Sequence, residues 1–509
     1  MSDSSTAVAT PPGDAAAQHT NPHHARRWLI LVMIGLAQLM VVLDATVVNI
    51  ALPSAQQDLG FSNDARQWVV TAYALAFGSL LLLGGRLADL FGRKRAFLVG
   101  LAGFAIVSAI GGAASSIEML LVARAAQGVF GALLAPAALS LLTTTFTDPK
   151  ERGKAFGVFG AIGGGGAAIG LLLGGVLTEY LDWRWSMYVN IIFAVIAFAG
   201  SFVLLKNSEA EAEGPRPKLD IPGTITASAG LFALVYGFAN AERDSWSSIS
   251  VWGFLAAGVV LLAAFVVIQQ RVSHPLLPLR VLLDRDRGGS YLAMFLLAIG
   301  MFSIFLFLTF YIQLNLGFTP VQSGVAFLPM VATLMASATS ATAVLLPKFG
   351  AKPLVSLGML IAGAGLFWLS AIDVTSTYTG GVLFPLMVMG VGIGLAMAPA
   401  MSVATFGVDT HDAGVASAAV NTAQQVGGSI GTALLSTLAG NAATSFTAGK
   451  VPSAQLAAEA AVHSYTTAFV WGGWIFVIGA VICGLLLRSG APAKAPEGAS
   501  EATPVAVHM

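Results

Sequence analysis

Long apolar runs alternate with short polar segments along most of the chain. A helix needs about 20 apolar residues to cross the hydrocarbon core of a bilayer. Runs of this length predict fourteen transmembrane helices, at approximately 28–50, 67–85, 96–114, 118–142, 154–178, 186–205, 221–240, 251–270, 290–312, 323–346, 353–371, 379–401, 414–438 and 467–487. The pattern therefore predicts an all-α polytopic membrane protein. The even number of spans places both termini on the same side.

Basic residues are distributed unevenly between the two sides of this predicted bundle. If the N-terminus is cytoplasmic, 20 of the 25 Lys and Arg residues fall in cytoplasmic tails and loops, and only four fall in outer loops. An excess of Lys and Arg in short loops marks the cytoplasmic side. Both termini are therefore predicted to be cytoplasmic.

The composition agrees with a membrane protein and limits the alternatives. The chain is 56% hydrophobic and 10% charged, whereas soluble domains carry about 25% charged residues. The net charge of zero gives no indication of a nucleic-acid partner. The single Cys483 excludes an intrachain disulfide, and no Cys/His cluster has metal-site spacing. We expect no cofactor and no metal.

Three segments of the first half recur in the second half at nearly constant spacing. "DLFGRKR" (89–95) resembles "PKFGAKP" (347–353), "GALLAPA" (131–137) resembles "GLAMAPA" (394–400), and "DPKERG" (148–153) resembles "DTHDAG" (409–414). Offsets of 258, 263 and 261 residues indicate one duplication. The expected fold is thus two six-helix pseudo-repeats with two inserted helices. Many secondary transporters build a midplane site from such repeats.

The predicted organisation follows from the runs and the repeat. It comprises a disordered cytoplasmic tail at 1–27, a six-helix half at 28–205, a linker with two inserted helices at 206–288, a second six-helix half at 289–488 and a disordered cytoplasmic tail at 489–509.

Seven motifs, in order, carry a resemblance to a known family. They are "LDATVVNIALP", "GGRLADLFGRKR", "RAAQGVFGALLAPA", "WRWSMYVNI", "HPLLPLRV", "FYIQLNLGFTPVQSGVAFLP" and "NTAQQVGGSIG". The chain resembles the fourteen-helix drug:proton antiporters of the major facilitator superfamily over about residues 28–488. The resemblance implies export of bulky amphiphiles such as antibiotics and dyes, driven by a proton gradient. It also implies a monomeric protein of the bacterial cytoplasmic membrane whose partners are substrate, protons and lipid.

Asp44 and Arg124 are charged residues inside predicted spans. Asp44 lies sixteen residues along the first span, about 24 Å from its start, and Arg124 lies about 9 Å below the outer end of the fourth. Both charges fall in the outer third of the membrane, so they can meet. Intramembrane charges generally serve function, and the pair is predicted to couple protons to transport. The alternative is a static ion pair that serves assembly only.

The segment "GGRLADLFGRKR" (84–95) fills a short loop after the second span. Gly85 and Gly92 permit a tight turn, and Arg93, Lys94 and Arg95 suit the cytoplasmic face. The resemblance implies that Asp89 is a latch on the cytoplasmic gate. A plain topology-setting basic loop is the alternative.

Small residues follow one face of the fifth span. Gly166, Gly170 and Gly174 recur every four residues and allow a neighbouring helix to approach closely. This face predicts either gating or ordinary close packing. The family's motif has a proline where this chain has Leu171, a departure that leaves the direction of transport open.

A set of polar and aromatic residues within the spans is predicted to line a substrate cavity. On the first span, Gln38 and Asn49 lie within 20° of each other and about 120° or more from Asp44. The full set of candidates is Gln38, Asn49, Tyr73, Gln127, Gln313, Asn421 and Gln425.

Two other functions remain open from the sequence. One is proton-coupled uptake of a small organic solute on the same fold. The other is a membrane sensor or enzyme, which would need a soluble output domain or a cluster of His and acidic residues at one surface. The chain shows neither feature, and no nucleotide-binding loop is present. An ion gradient is therefore the expected energy source, and catalysis is not expected.

Overall fold

A computed structural model describes residues 26–146, 149–205, 220–244, 248–272, 275–277, 279–405 and 413–490. Residues 1–25 and 491–509 of the two predicted tails lie outside the described residues. Fourteen long helices occur in the described ranges: α1 (Arg27–Leu59), α2 (Asn63–Phe91), α3 (Arg93–Gly112), α4 (Ile117–Thr145), α5 (Pro149–Tyr180), α6 (Trp185–Leu204), α7 (Ile221–Asp244), α8 (Ile249–Arg271), α9 (Arg285–Phe310), α10 (Pro320–Ser340), α11 (Ala351–Leu369), α12 (Leu383–Thr405), α13 (Ala413–Thr447) and α14 (Ala454–Leu486).

Short helical turns extend several of these elements. A single turn, Leu279–Leu282, precedes α9, and the π-helical turn Tyr311–Asn315 continues it. Helix α10 continues through Ala341–Leu345 to Leu346–Phe349, and the π-helical turn Tyr378–Val382 leads into α12.

Twelve helices in the described part of the chain are long and apolar enough to cross a membrane, and Ala168–Tyr180 forms a shorter apolar helix within α5. Each of the fourteen predicted spans coincides with one long helix. Helix α13 is the other long helix outside the twelve. The fold class is confirmed, whereas the number of fourteen spans stays a prediction.

The two halves of the bundle pack in the same way. In the first half α2 packs on α4, α3 on α4 and α6, and α1 on α5 and α6. In the second half α10 packs on α12, α11 on α12 and α14, and α9 on α13 and α14. Gly92 and Gly350, 258 residues apart, both have positive φ (93° and 75°) at the starts of α3 and α11. The duplication seen in the sequence is therefore also present in the backbone.

Two seams join the halves, one between α2 and α13 and the other between α5 and α10. Helix α7 packs against both α2 and α13, where Leu75, Val235, Val426 and Ile430 form a small apolar cluster. Of the two inserted helices, α7 therefore covers the α2–α13 seam, and α8 packs on α7.

A polar clasp holds the inserted pair together. Asp220 precedes α7 and accepts a hydrogen bond from the backbone N–H of Gly223 at 2.9 Å. Gln269 on α8 donates to the second oxygen of Asp220 at 2.5 Å and accepts from the backbone N–H of Leu277 at 3.0 Å. Asp220 and Gln269 are buried, and their polar atoms are satisfied by these contacts.

The two ends of the bundle are named here by their helix termini. The terminal face contains the start of α1 and the end of α14, and the opposite face contains the end of α1. At the opposite face the halves touch directly: Gln313 donates to the carbonyl of Ile50 at 3.1 Å, and the N–H of Val321 donates to the Glu179 carboxylate at 3.0 Å. The guanidinium of Arg66 lies 4.1 Å from the Phe310 ring centroid. The halves are therefore closed against each other at this face.

Adding a methyl group at Gly175 is expected to open the opposite face. An ideal Cβ there would lie 2.6 Å from the Pro320 carbonyl oxygen and 2.7 Å from Val321 Cα. These are backbone atoms that cannot rotate away, so α5 and α10 must separate. We expect Gly175→Ala to lengthen the spin-label distance between Leu181 and Leu314, at a cost of about 1–3 kcal/mol in stability.

The measurement is pulsed electron paramagnetic resonance, with spin labels on cysteines introduced at positions 181 and 314. Cys483 is replaced by alanine so that it is not labelled. Gly253→Ala on α8 is the matched control, since nothing lies within 4 Å of its ideal Cβ. An unchanged distance distribution in Gly175→Ala would contradict the prediction.

Candidate functional site

Asp44 lies on α1 at the centre of a buried polar network in the first half. Its side chain has no exposed surface, and Arg124 on α4 is only 2% exposed. The Nη1 atom of Arg124 donates to Oδ2 of Asp44 at 2.6 Å. The structure thus brings together the two charges that helix arithmetic placed at one depth. Their role in proton coupling stays a prediction.

The rest of the Arg124 side chain is held from α2 and α4. Its Nε donates to the backbone carbonyl of Val69 at 3.0 Å, and Nη1 also donates to Gln127 Oε1 at 2.9 Å. The guanidinium carbon lies 4.5 Å from the Tyr73 ring centroid. A cation over an aromatic face is attracted by the negative face of the ring. Arg124 therefore keeps several partners besides Asp44.

Two amides complete the shell of the carboxylate. Gln127 Nε2 donates to Asp44 Oδ1 at 3.0 Å and to Ser108 Oγ at 2.8 Å, which joins α3 to the network. Asn190 Nδ2 on α6 donates to the same Oδ1 atom at 2.7 Å. Asp44 thus accepts hydrogen bonds from three side chains, and the network joins five helices of the first half.

This arrangement explains how an ionised carboxylate is tolerated in the membrane. A buried charge is costly unless it is paired and its remaining acceptor sites are filled. The counter-charge of Arg124 and the two amide donors meet both conditions. Such a pair often gives no more stability than apolar packing, so stability alone does not account for it. A change in the charge of Asp44 acts directly on its contacts with α4 and α6, and α2 and α3 are joined to these contacts through Arg124 and Gln127.

Asn190 and Ser108 were missed as site residues from the sequence. Asn190 lies inside "WRWSMYVNI", one of the motifs that carried the resemblance, so a signal was present. Its role was hidden because α6 is 146 residues away from Asp44 along the chain. Ser108 carries no such signal, since serine is common in membrane helices.

Two of the predicted cavity residues take part in the buried network. Gln127 is fully buried and bonded to Asp44, Arg124 and Ser108, and Tyr73 is 3% exposed beside Arg124. Neither side chain forms an open wall in this conformation. Both lie around the charge pair in this conformation, and their role in lining a substrate cavity stays a prediction.

The other cavity candidates are spread along α1, the π-helical turn after α9, and α13. Asn49 is buried and donates to the Ala45 carbonyl at 2.8 Å, and Gln313 bonds to Ile50 across the two halves. Gln38, Asn421 and Gln425 are half-buried. The structure does not gather them into one described pocket, and their role in substrate binding stays a prediction.

The loop after α2 has the expected turn. Gly92 has φ 93° and separates α2 from α3, and Gly85 packs against Pro136 of α4. Lys94 donates to the carbonyls of Leu205 and Phe202 at 2.5 and 3.1 Å, so it caps the end of α6.

The other two basic residues of this loop differ in exposure. Arg93 is half-buried and Arg95 is exposed. The side chain of Asp89 lies outside the described residues. The latch assigned to Asp89 by resemblance therefore stays a prediction.

The glycine face of α5 packs on α1. An ideal Cβ at Gly166 would lie 3.1 Å from Leu39, and one at Gly174 would lie 2.9 Å from Val47 Cα; Gly170 approaches Thr46. These three glycines therefore allow α1 and α5 to pack closely, and a role in gating stays a prediction. Gly175 and Gly324, which the spacing pattern did not single out, lie at the α5–α10 seam between the halves.

Two pseudo-symmetric six-helix halves, the first of which holds a buried charge network, define the fold of a membrane transporter. A family model described as Major Facilitator Superfamily matches residues 34–432, and the chain belongs to that family.

Several relatives match over most of their length. The chain is 48% identical over 498 residues to the puromycin resistance protein pur8 of Streptomyces alboniger, covering 97% of this chain and 98% of that protein. It is 38% identical to the cephamycin export protein CmcT of Amycolatopsis lactamdurans, covering 81% of this chain and 85% of that one. It is 33% identical to the tetracenomycin C resistance and export protein of Streptomyces glaucescens, with 85% and 80% covered.

Two solved structures share the fold at low identity. An auto-inhibited POT family peptide transporter aligns with a TM-score of 0.63 and 18% identity, over 90% of this chain and 96% of that one. A bacterial homologue of the human lysosomal transporter Spinster, inward-facing and occupied, aligns with a TM-score of 0.61 and 16% identity, over 92% and 97%.

Proposed function

We propose that this protein is a proton-coupled exporter of bulky amphiphilic antibiotics in a bacterial cytoplasmic membrane. The observation that carries the proposal is the buried Asp44–Arg124 pair, with its five-helix network, inside a transporter fold. Resistance and export relatives support the outward direction of transport. The protein acts as a transporter and not as an enzyme.

The terminal face is cytoplasmic in this proposal, because most Lys and Arg residues lie on that side. The opposite face is then the outer face, where Gln313 bonds to Ile50 and Glu179 to Val321. A conformation closed outside and ionised at Asp44 suits the step at which substrate is taken up from the cytoplasm.

Protonation of Asp44 is the proposed driving event. In the outward-open conformation a proton from outside neutralises the carboxylate, which removes the charge that holds Arg124 Nη1. Arg124 keeps Val69, Gln127 and the Tyr73 ring, so the cation stays on α2 and α4 while α1 is released. After substrate has left, the two halves return to the conformation that is open to the cytoplasm. Release of the proton from Asp44 then restores the ion pair with Arg124. The energy comes from the proton gradient.

The substrate class follows from the relatives and from the polar residues available. The relative at 48% identity is a puromycin resistance protein, so puromycin is the first compound to test. A passage with few amides and many apolar side chains suits amphiphilic molecules better than small hydrophilic solutes.

An antibiotic panel in a pump-deficient bacterial host tests the direction and the substrate together. Cells that carry this chain are expected to tolerate more puromycin and to accumulate less of it than cells that carry Asp44→Asn. Collapse of the proton gradient with an uncoupler should remove the difference in accumulation. Greater accumulation in cells with the unaltered protein would indicate uptake and overturn the proposal.

A further inference from the structure

The amide group of Asn190 has one bonded end and one unbonded end. Its Nδ2 donates to Asp44 Oδ1 at 2.7 Å, while its Oδ1 is buried and has no hydrogen-bond partner. Asn190 itself has no exposed surface. A buried acceptor without a partner is unusual in a native protein, because it loses its bonds to water and gains none in return.

The other amide in the network is fixed in one orientation. Gln127 accepts from Arg124 through Oε1 and donates through Nε2 to both Asp44 and Ser108. Turning this amide over would place its nitrogen against the guanidinium, where two donors face each other. Asn190 is held by a single bond, so its amide can turn over at no cost to another contact.

We propose that Asn190 is a positioning residue that holds Asp44 in both of its protonation states by turning its amide over. When Asp44 is ionised, Asn190 Nδ2 donates to Asp44 Oδ1. When a proton binds to Oδ1, the new O–H group of Asp44 donates to Asn190 Oδ1, the atom that lacks a partner in this structure. The inference rests on the proposed function, since it takes Asp44 as the proton-binding group.

The turn of the amide uses a soft torsion. The terminal torsion of asparagine is broad and nearly two-fold, so both orientations fit the same side-chain volume. An ionised carboxylate accepts only, whereas a protonated one also donates, so the two states of Asp44 demand opposite ends of the amide. Asn190 can supply both ends from one position on α6.

Among the groups around Asp44, the Asn190 amide is the one that can change its orientation when Asp44 binds a proton. Among the described residues, the charged or titratable side chains facing it are Arg124 on α4 and Tyr73 on α2. The residue of α3 that joins the network is Ser108, and α5 packs on α1 through glycines such as Gly166, so neither contact involves a titratable side chain. Protonation therefore removes the ion pair while the hydrogen-bonded network stays connected. Asp44 stays with Asn190 on α6 and can still accept from Gln127, while Arg124 keeps Gln127 and Val69 on α4 and α2.

Infrared difference spectroscopy of the purified full-length protein tests this directly. The side-chain carbonyls of asparagine are labelled with carbon-13, and spectra at acidic pH are compared with spectra at neutral pH. We expect a protonated carboxyl band that is absent in Asp44→Asn. We also expect a labelled amide carbonyl band that shifts to lower frequency, because the carbonyl gains a hydrogen bond, and this shift should be absent in Asn190→Leu.

Ser186→Ala is the matched control. Ser186 lies one turn before Asn190 on α6, is 1% exposed and has an Oγ without a hydrogen-bond partner. The Ser186→Ala variant should show the same protonated carboxyl band and the same shift of the amide carbonyl band as the unaltered protein. Asn190→Ala gives a second measurement if the leucine variant does not fold. A carboxyl band with no change in the amide band would overturn the inference alone, whereas the absence of the Asp44 band would overturn the proposed function as well.

Transport gives an independent readout. Asn190→Leu is expected to lower proton-driven efflux about tenfold, the factor that loss of one hydrogen bond to a charged group gives. Binding of substrate measured without a proton gradient should be unchanged. Unaltered efflux, or an equal loss of efflux and binding, would show that Asn190 has only a structural role.

Discussion

Replacing Asp44 with asparagine is expected to reduce proton-driven efflux to the level of membranes without the protein, while the chain still folds. Asparagine has the same shape but cannot bind and release a proton at any accessible pH. Its Oδ1 can still accept from Arg124, which also keeps its bonds to Val69 and Gln127. Removal of one charge from a buried pair lowers the free energy of unfolding by about 3–5 kcal/mol. Because the hydrogen bond from Arg124 is retained, we expect a loss near the lower end of this range.

Everted membrane vesicles provide the transport measurement, and thermal unfolding provides the stability measurement. Asp286→Asn is the matched control, because Asp286 pairs with Arg488 at 3.5 Å near the surface, where such a pair contributes little. Efflux in Asp44→Asn at the level of the unaltered protein would rule out Asp44 as the coupling group.

Replacing Arg124 with lysine should abolish efflux even though the positive charge is kept. The guanidinium donates in three directions, to Asp44, Gln127 and the Val69 carbonyl, and lies over the Tyr73 ring. A shorter ammonium group cannot reproduce this planar fork. We expect stability to fall by about 3 kcal/mol, since hydrogen bonds to charged groups contribute about 1.5–3 kcal/mol each.

The measurements are the same, with Arg488→Lys as the control on the surface pair. The double variant Asp44→Asn/Arg124→Gln separates assembly from function. It removes both charges, so stability should recover relative to Asp44→Asn, whereas efflux should stay absent. Recovery of efflux together with stability would show that the pair serves only assembly.

The sequence predicted the membrane class, the positions of the helices and the duplication, because these depend on hydropathy and on local turn residues such as Gly92. It also predicted that Asp44 and Arg124 lie at one depth, because the rise of a helix fixes depth from residue number alone. Depth does not define which helices are neighbours. The contacts of Asn190 and Ser108 arise from the packing of α6 and α3, which a single sequence does not specify.

The predicted cavity residues also show that a single sequence does not specify which helices are neighbours. Gln127 lies on the same helix face as Arg124, so a helical wheel predicts that they point in one direction. It does not predict whether that direction holds substrate or a charge pair. The structure assigns Gln127 to the pair because α1, α3 and α6 converge there.

The inserted helices make the two seams of the transporter unequal toward the lipid. Helix α7 borders the α2–α13 seam with protein, and α8 packs on α7. The α5–α10 seam has exposed apolar side chains, including Ile169, Val176 and Val325, and so meets acyl chains directly. Changes in bilayer thickness act on a protein where its surface meets acyl chains. Chain length and fluidity of the membrane should therefore influence the opening of the α5–α10 seam, and an amphiphile dissolved in the bilayer meets the moving interface on that side of the molecule.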